Sequence, residues 1–404
     1  MIIKRPQYID KIHHYIDKNV IKVLTGIRRS GKSCLLKMVR DEILSTGVAP
    51  SCIIEANFES QTDESVRSIE AMMGKISSVA QCNPGKRLYL FFDEIQELSG
   101  WEKLVNGIII DFDVDIYLTG SNAKLLSSEL ATYLGGRYVE INVFPLSFSE
   151  AWPCLKSEGL DKRGAFWEYV RRGGMPFIYD AGIRGEATTG YLNDLFDSIV
   201  LKDIAKRHQI RDIDLLERLI GYLISEISHN FSPSNLVKYL KHDNRRIGLE
   251  TLYNYVEYCE EACFLNRVSR YDLVGKEILS TQEKLYLADH GFREAKIGGN
   301  ERHIERVLEN IVAIELLRRG WTVKVGKLKN YEVDFVATKD NDRQYVQVAY
   351  LMPDESTRER EFRSLKMITG DNFRRIVLSL DEADFGYDGI QHQSLIDWCL
   401  DQSW

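Results

Sequence analysis

Gly26-Ile-Arg-Arg-Ser-Gly-Lys-Ser33 stands between the apolar run Ile21-Lys-Val-Leu-Thr25 and the run Cys34-Leu-Leu-Lys-Met-Val39. The pattern predicts a strand that delivers the chain into a glycine-rich turn, with a helix beginning directly after it. In such a turn the backbone N–H groups of Gly26, Ile27, Arg28, Arg29, Ser30, Gly31, Lys32, Ser33 and Cys34 converge on a pyrophosphate, and the positive end of the helix faces it. Gly26 and Gly31 permit the turn and the close approach. Lys32 is placed to reach the β- and γ-phosphates, and the Ser33 hydroxyl to complete a Mg²⁺ shell. The stretch predicts a P-loop that takes ATP and Mg²⁺.

Outward from it, Leu88-Tyr-Leu-Phe-Phe-Asp93-Glu94 reads as a buried parallel strand ending in two carboxylates, a Walker B. Asp93 is expected to hold Mg²⁺ through water, and Glu94 to polarise the attacking water. Ser51–Phe58 and Asp115–Thr119 predict further strands. Asn57 and Glu59 fall where a parallel sheet opens into loops, the edge at which such folds bind ligands. Tyr8, Ile9, Ile12, Tyr15 and Ile16 predict a short amphipathic helix ahead of the first strand, either covering the adenine or simply packing on the sheet.

A chain of 404 residues should divide into two to four domains. With 53 Lys and Arg against 60 Asp and Glu, the net charge of -7 rules out a polycation, so any nucleic-acid surface must be a local patch. Hydrophobic content of 44% with 28% charged residues is globular. No apolar run is long enough to span a bilayer, and Met1-Ile-Ile-Lys-Arg-Pro6 lacks the features of a signal peptide, so no membrane association and a cytoplasmic location are expected. Seven scattered cysteines, without paired CxxC spacing, suggest reduced thiols.

These motifs, with Asp-Glu-Ile-Gln-Glu-Leu and Trp101 at 93 to 101, Leu-Thr-Gly-Ser-Asn at 118 to 122, Leu-Gly-Gly-Arg at 134 to 137 and Phe-Pro-Leu-Ser-Phe at 144 to 148, resemble the AAA-type P-loop ATPases of bacteria and archaea. The family's members carry a C-terminal domain of unknown function with a nuclease-like fold. The resemblance continues through Gly173-Gly-Met-Pro176, Tyr271-Asp272, Asp289-His-Gly291 and Glu332-Val-Asp-Phe335. It implies a γ-phosphate sensor at Ser121 or Asn122, and makes Arg137 either an arginine finger that completes a neighbour's site or a surface ion-pair residue. It also makes Pro176 either a contact for the adenine or an ordinary helix boundary.

Residues 146–225 are rich in helix formers and are expected to form a helical lid. Across 226–290, a helix from Asn235 to Tyr239, a basic turn, a helix from Leu249 to Cys263 and a hairpin of Leu265–Tyr271 with Glu277–Ser280 predict a winged helix. Its basic turn leaves DNA contact open, although Glu250, Glu257, Glu260 and Glu261 oppose phosphate. From 291 to 404, a helix bearing Glu309, then Asp334 and Gln347 on successive strands, resembles the PD-(D/E)xK nuclease core. Gln347 replaces a metal carboxylate there and Ala349 the lysine, so the site is expected to be degenerate.

The sequence therefore predicts an α/β protein: a P-loop AAA-type core over residues 1–145, a helical lid, a winged helix and a C-terminal α/β nuclease-like domain. It predicts an ATP-hydrolysing machine, able to form a homo-oligomer. Two other readings stay open, a slow-hydrolysing signalling or defence switch with a protein partner, and an ATP-coupled DNA nuclease.

Overall fold

The computed structural model of the protein describes residues 3–121, 136–242, 248–275 and 277–401. The chain divides into two compact units, Met1–Val143 with Glu261–Cys263, and Phe144–Glu260 with Phe264–Trp404.

The first unit is built on five strands: β1 (Ile21–Thr25), β2 (Ile53–Asn57), β3 (Leu88–Asp93), β4 (Val114–Thr119) and β5 (Tyr138–Asn142). All neighbours are parallel, in the order β2-β3-β4-β1-β5. Both faces are covered, which is why β3 is an unbroken apolar run. Its alternate residues part to opposite sides. Leu88, Leu90 and Phe92 join Met72, Ile76, Trp101, Leu104 and Ile108 from the helices Ile69–Cys82 and Trp101–Asp111. Tyr89 and Phe91 join Tyr8, Ile12, Leu35, Leu36 and Val39 from the helices Pro6–His13 and Lys32–Ser45. The N-terminal helix thus packs onto this second face. Inside that layer Lys22 is fully buried, and it pairs with Asp115, which also accepts from the Tyr117 hydroxyl at 2.8 Å.

The second unit opens with the helix Phe148–Ser157, whose N-terminus is closed by a reciprocal box of Ser147 and Glu150. More helices follow, among them Lys162–Arg172, Pro176–Asp180, and Glu186–Ser198, which continues into a π-helical stretch, Ile199–Lys206. The expected pair of helices lies at Pro233–His242 and Leu249–Glu261. Seven strands form the unit's sheet: β6 (Leu265–Asp272), β7 (Glu277–Leu287), β8 (Thr322–Leu328), β9 (Tyr331–Lys339), β10 (Asp342–Val348), β11 (Arg374–Ser379) and β12 (Gln391–Ser394). Their order is β12-β11-β10-β9-β8-β6-β7, mixed in direction.

Here the structure departs from the sequence expectation. The β6–β7 hairpin is no free wing. β6 pairs in parallel with β8, Arg270 to Asp272 against Val325 to Lys327, and β7 runs on to Leu287 instead of ending at Ser280. The segments 226–290 and 291–404 share one sheet, because the edge of β6 left open by a two-stranded hairpin is satisfied by β8.

One knot ties distant parts of this unit together. Gly173 has φ +73°, and a Cβ there would lie 2.0 Å from Asp289 Oδ1, while one on Gly174 would lie 2.2 Å from the Leu146 carbonyl oxygen. The space is filled instead by the Asp289 carboxylate, which accepts from the N–H groups of Gly174 and Gly291, each at 2.7 Å. Two glycine motifs far apart in sequence are therefore one packing solution.

Candidate nucleotide site and the C-terminal carboxylate cluster

The glycine-rich stretch leaves β1 and enters the helix Lys32–Ser45 with Gly26 at φ +140° and Gly31 at φ +99°. A Cβ on Gly26 would stand 2.3 Å from the Val143 carbonyl oxygen, so only glycine fits that corner. Arg29 is also left-handed, at φ +66°. Lys32 is buried and folds back over the loop, its Nζ donating to the carbonyls of Gly26 at 2.8 Å and Ile27 at 3.1 Å. Arg5, itself buried, donates to the Ser30 carbonyl at 3.0 Å. The Ser30 hydroxyl oxygen is buried with no partner among the described residues. Ile27 is buried, Arg28 lies 3.7 Å from Glu59, and Cys34 is exposed.

Because β4 lies between β1 and β3, its last residue falls between the loop and the carboxylates. Thr119 donates from Oγ1 to Asp93 Oδ1 at 2.5 Å and accepts from the Glu94 N–H at 2.9 Å. Ser33 donates to the same Asp93 oxygen at 3.0 Å. Asn57 Nδ2 lies 3.3 Å from Asp93 Oδ2. Glu94 takes a left-handed backbone, φ +54°, unusual for a residue with a side chain, and Gln96 Nε2 donates to its Oε2 at 2.6 Å. At the same edge Thr25 donates to Glu140, whose carboxyl burial pushes above its ordinary range.

The residues present fit a nucleotide with its Mg²⁺. The loop is a cradle that a Cβ at position 26 would fill, it holds an orphaned hydroxyl, and Ser33 and Asp93 already meet where a hard cation's oxygen ligands would converge. The structure brings the predicted residues Ser33 and Asp93 together and sets beside them Thr119, Gln96 and Arg5, which the sequence did not single out. For Thr119 the signal was its place at the end of a strand whose neighbours carry the two motifs. Ser121 is buried, its hydroxyl unpartnered among the described residues, and Asn122 lies outside them. Arg137 precedes β5, and its carbonyl accepts from the Ile21 N–H at 2.9 Å, at the opposite end of β1 from the loop. About 13 Å of strand separates it from its own P-loop. Pro176 belongs to the second unit, at the first position of its short helix, where a missing N–H costs nothing.

The C-terminal constellation is different in kind. Glu309, on the helix Ile304–Arg318, accepts from Lys284 Nζ at 2.9 Å and from the Tyr286 hydroxyl at 2.7 Å. Lys284, on β7 and only 4% exposed, also reaches Glu332 at 2.7 Å, and Arg270 lies 3.3 Å from Glu332. Asp334 is buried and accepts from the Val348 N–H at 2.8 Å; burial and the neighbouring Glu309 charge hold its carboxyl well above the usual range. The surrounding carboxylates hold Lys284 firmly protonated. Gln347 accepts from Ser364, and Ala349 is buried. An ammonium from β7 thus stands between the Glu309 and Glu332 carboxylates. Among the described residues, no group of three or more His, Cys, Asp or Glu side chains is arranged to hold a metal ion.

Residues 18–152 match the AAA domain family, and residues 163–303 match a domain of unknown function, DUF8612. That second match covers the segment up to 303, ahead of the C-terminal region in which the sequence placed such a domain. An uncharacterized protein of Haemophilus influenzae is 36% identical over 99% of this chain and 99% of its own length. One of Methanocaldococcus jannaschii is 30% identical over 91% of this chain and 83% of its own. The solved structure of a Walker-type ATPase of Pyrococcus abyssi shares the fold, with a TM-score of 0.52 at 16% identity, covering 73% of this chain and 96% of that one. Among the described residues, no helix is long and apolar enough to cross a membrane.

Proposed function

The chain belongs to one family with the Haemophilus influenzae and Methanocaldococcus jannaschii proteins and carries an AAA domain at residues 18–152, and from that premise we propose that it is a Mg²⁺-dependent ATPase coupling nucleotide state to conformational change or assembly. The observation that carries this reading is the single network joining loop to carboxylates, Ser33 and Thr119 on Asp93 with Thr119 on the Glu94 N–H.

In this reading Lys32 leaves its own loop carbonyls for the phosphates, an exchange that offsets the loss of two hydrogen bonds. Ser33 and Asp93 hold Mg²⁺, which supplies charge neutralisation at the phosphate oxygens. Glu94 polarises the attacking water, and Ser121 or Asn122 senses the γ-phosphate. Arg137, at the wrong end of β1 for its own site, serves a neighbouring copy, so the active form is a homo-oligomer.

The C-terminal region is read as a non-cutting, nuclease-like module, supported by Lys284 among its carboxylates. A protein partner is favoured over DNA for the second unit. On the helix Leu249–Glu261, Leu249 and Tyr253 are 54% and 44% exposed beside Glu250 and Glu257. An apolar and acidic face suits a protein surface better than phosphate. The protein is proposed to work in the cytoplasm.

Steady-state ATP hydrolysis across protein concentrations, with and without single- and double-stranded DNA, tests the reading. Turnover per subunit should rise with protein concentration, and Arg137→Ala should abolish that rise. Turnover that ignores both concentration and Arg137→Ala would remove the shared site. Tight ATP binding with no turnover in any condition would replace the machine by a switch.

A further inference from the structure

Gln96 is a polar side chain in contact with Glu94 to which the ATPase reading gives no task. The short turn Ile95–Glu97 carries it back under Glu94, where its Nε2 donates to Glu94 Oε2 at 2.6 Å. The carboxylate fixes the sense of the amide, since the reverse placement would set oxygen against oxygen. The other end of the amide is the anomaly: Gln96 Oε1 is buried and has no hydrogen-bond partner among the described residues. A buried acceptor without a donor is costly, and such groups concentrate where a ligand or water completes them. The amide's two ends are about 2.2 Å apart, so this orphan lies within one water's reach of the Glu94 carboxylate. The backbone on which both residues hang is itself held: Glu94 is left-handed and its N–H is tied to Thr119.

We propose that Gln96 is a positioning residue for ATP hydrolysis, its amide N–H fixing the Glu94 carboxylate while its carbonyl oxygen accepts one hydrogen of the attacking water. The inference rests on the ATPase reading above. The water donates one hydrogen to Glu94 and the other to Gln96, which turns its lone pair towards the γ-phosphorus. As the water oxygen bonds to phosphorus, the bond to the β–γ bridging oxygen breaks, ADP keeps that electron pair, and the water's proton passes to Glu94. A carboxylate alone fixes one hydrogen and leaves the water free to rotate, so the second acceptor narrows its orientation.

Gln96→Met, near in shape but without either polar end, tests this in the full chain. The expected result is a kcat lowered about 10- to 100-fold with KM for ATP within about twofold of the wild type. Placed on Glu94→Gln, the same change should cost nothing further, because the two side chains act on one water. A purely structural role would instead lower Tm and act additively with Glu94→Gln. Unchanged kcat in Gln96→Met, a raised kcat, or additive losses would each overturn the proposal. Should Gln96→Met not fold, Gln96→Ala and Gln96→Glu, judged by the same additivity on Glu94→Gln, carry the test. Failure of the ATPase reading is seen separately, as a wild type that binds ATP and never hydrolyses it.

Discussion

Two groups of carboxylates stand in this molecule, and they are finished in opposite ways. At the P-loop, the side-chain partners of Asp93 and Glu94 among the described residues are neutral donors, the hydroxyls of Ser33 and Thr119 and the amides of Asn57 and Gln96, while the nearby cation Lys32 is turned onto its own loop. In the second unit, Glu309 and Glu332 close upon Lys284, with Tyr286 and Arg270 completing the shell. The first group keeps its charge available and carries a left-handed Glu94 and buried hydroxyl and amide oxygens without partners among the described residues. The second has spent its charge internally. A site that must receive a cation and a polyanion has to be left electrostatically incomplete, and such incompleteness costs stability that the rest of the fold offsets.

The largest effect should come from breaking the open site. Glu94→Gln should lower ATP turnover by about 10³-fold while nucleotide binding is kept, and Lys32→Ala should lower both, read by hydrolysis beside equilibrium binding. Glu94→Gln should lower Tm by no more than a few degrees, since the new amide keeps an acceptor for Gln96, whereas Lys32→Ala also removes the two hydrogen bonds to the Gly26 and Ile27 carbonyls and should lower it further. The closed site should answer the other way. Lys284→Met keeps the volume and removes the ammonium, leaving Glu309 and Glu332 without their shared cation. A loss of about 3–5 kcal/mol in chemical denaturation is expected, with turnover per folded molecule unchanged. If Lys284→Met were as stable as the wild type, the contrast between the two groups would fail.

Sequence made the open site legible and the closed one only partly so, for a physical reason. A P-loop is local: turn, lysine and hydroxyl lie within eight residues, and β3 announces itself by an apolar run that only a doubly covered sheet requires. The closed site is assembled from β7, β9 and the helix Ile304–Arg318, and nothing in the spacing of Lys284 indicates that its strand joins the C-terminal sheet. For the same reason a hairpin that reads as a wing proved to be a sheet edge. Arg137 was legible in type, while its position at the far end of β1 depended on the parallel register of Ile21 with Tyr138. Gln96 and Thr119 escaped because a single polar residue after a strand is ordinary until neighbouring strands are placed beside it.

The smallest expected effect concerns a third way of burying charge, with no counter-ion salt-bridged to it among the described residues. Asp289 and His290 are adjacent and both buried in the knot around Gly173 and Gly174. Burial pushes the Asp289 carboxyl up to about 7, against the two N–H groups that favour its charge, and burial pushes the His290 imidazole down to about 4, against its contact with the Tyr169 carbonyl. Between about pH 4 and 6.5 the folded chain therefore holds a proton on Asp289 that the unfolded chain lacks, while the unfolded chain holds one on His290 that the folded chain lacks. The raised acid gives stability that is present at low pH and lost as pH rises through about 7. The depressed imidazole gives stability that is present above about 6.5 and lost as pH falls towards 4. The two slopes cancel in the wild type. His290→Gln should leave only the first, so that the variant gains about 3 kcal/mol relative to the wild type on acidification across this window, and Asp289→Asn only the second, losing a similar amount. Denaturation midpoints at pH 4.5, 5.5 and 6.5, taken relative to the wild type at each pH, read this directly. Parallel profiles for all three proteins would mean that the knot opens to water before either group titrates, and that its burial, unlike that of Lys284, is not maintained by the fold.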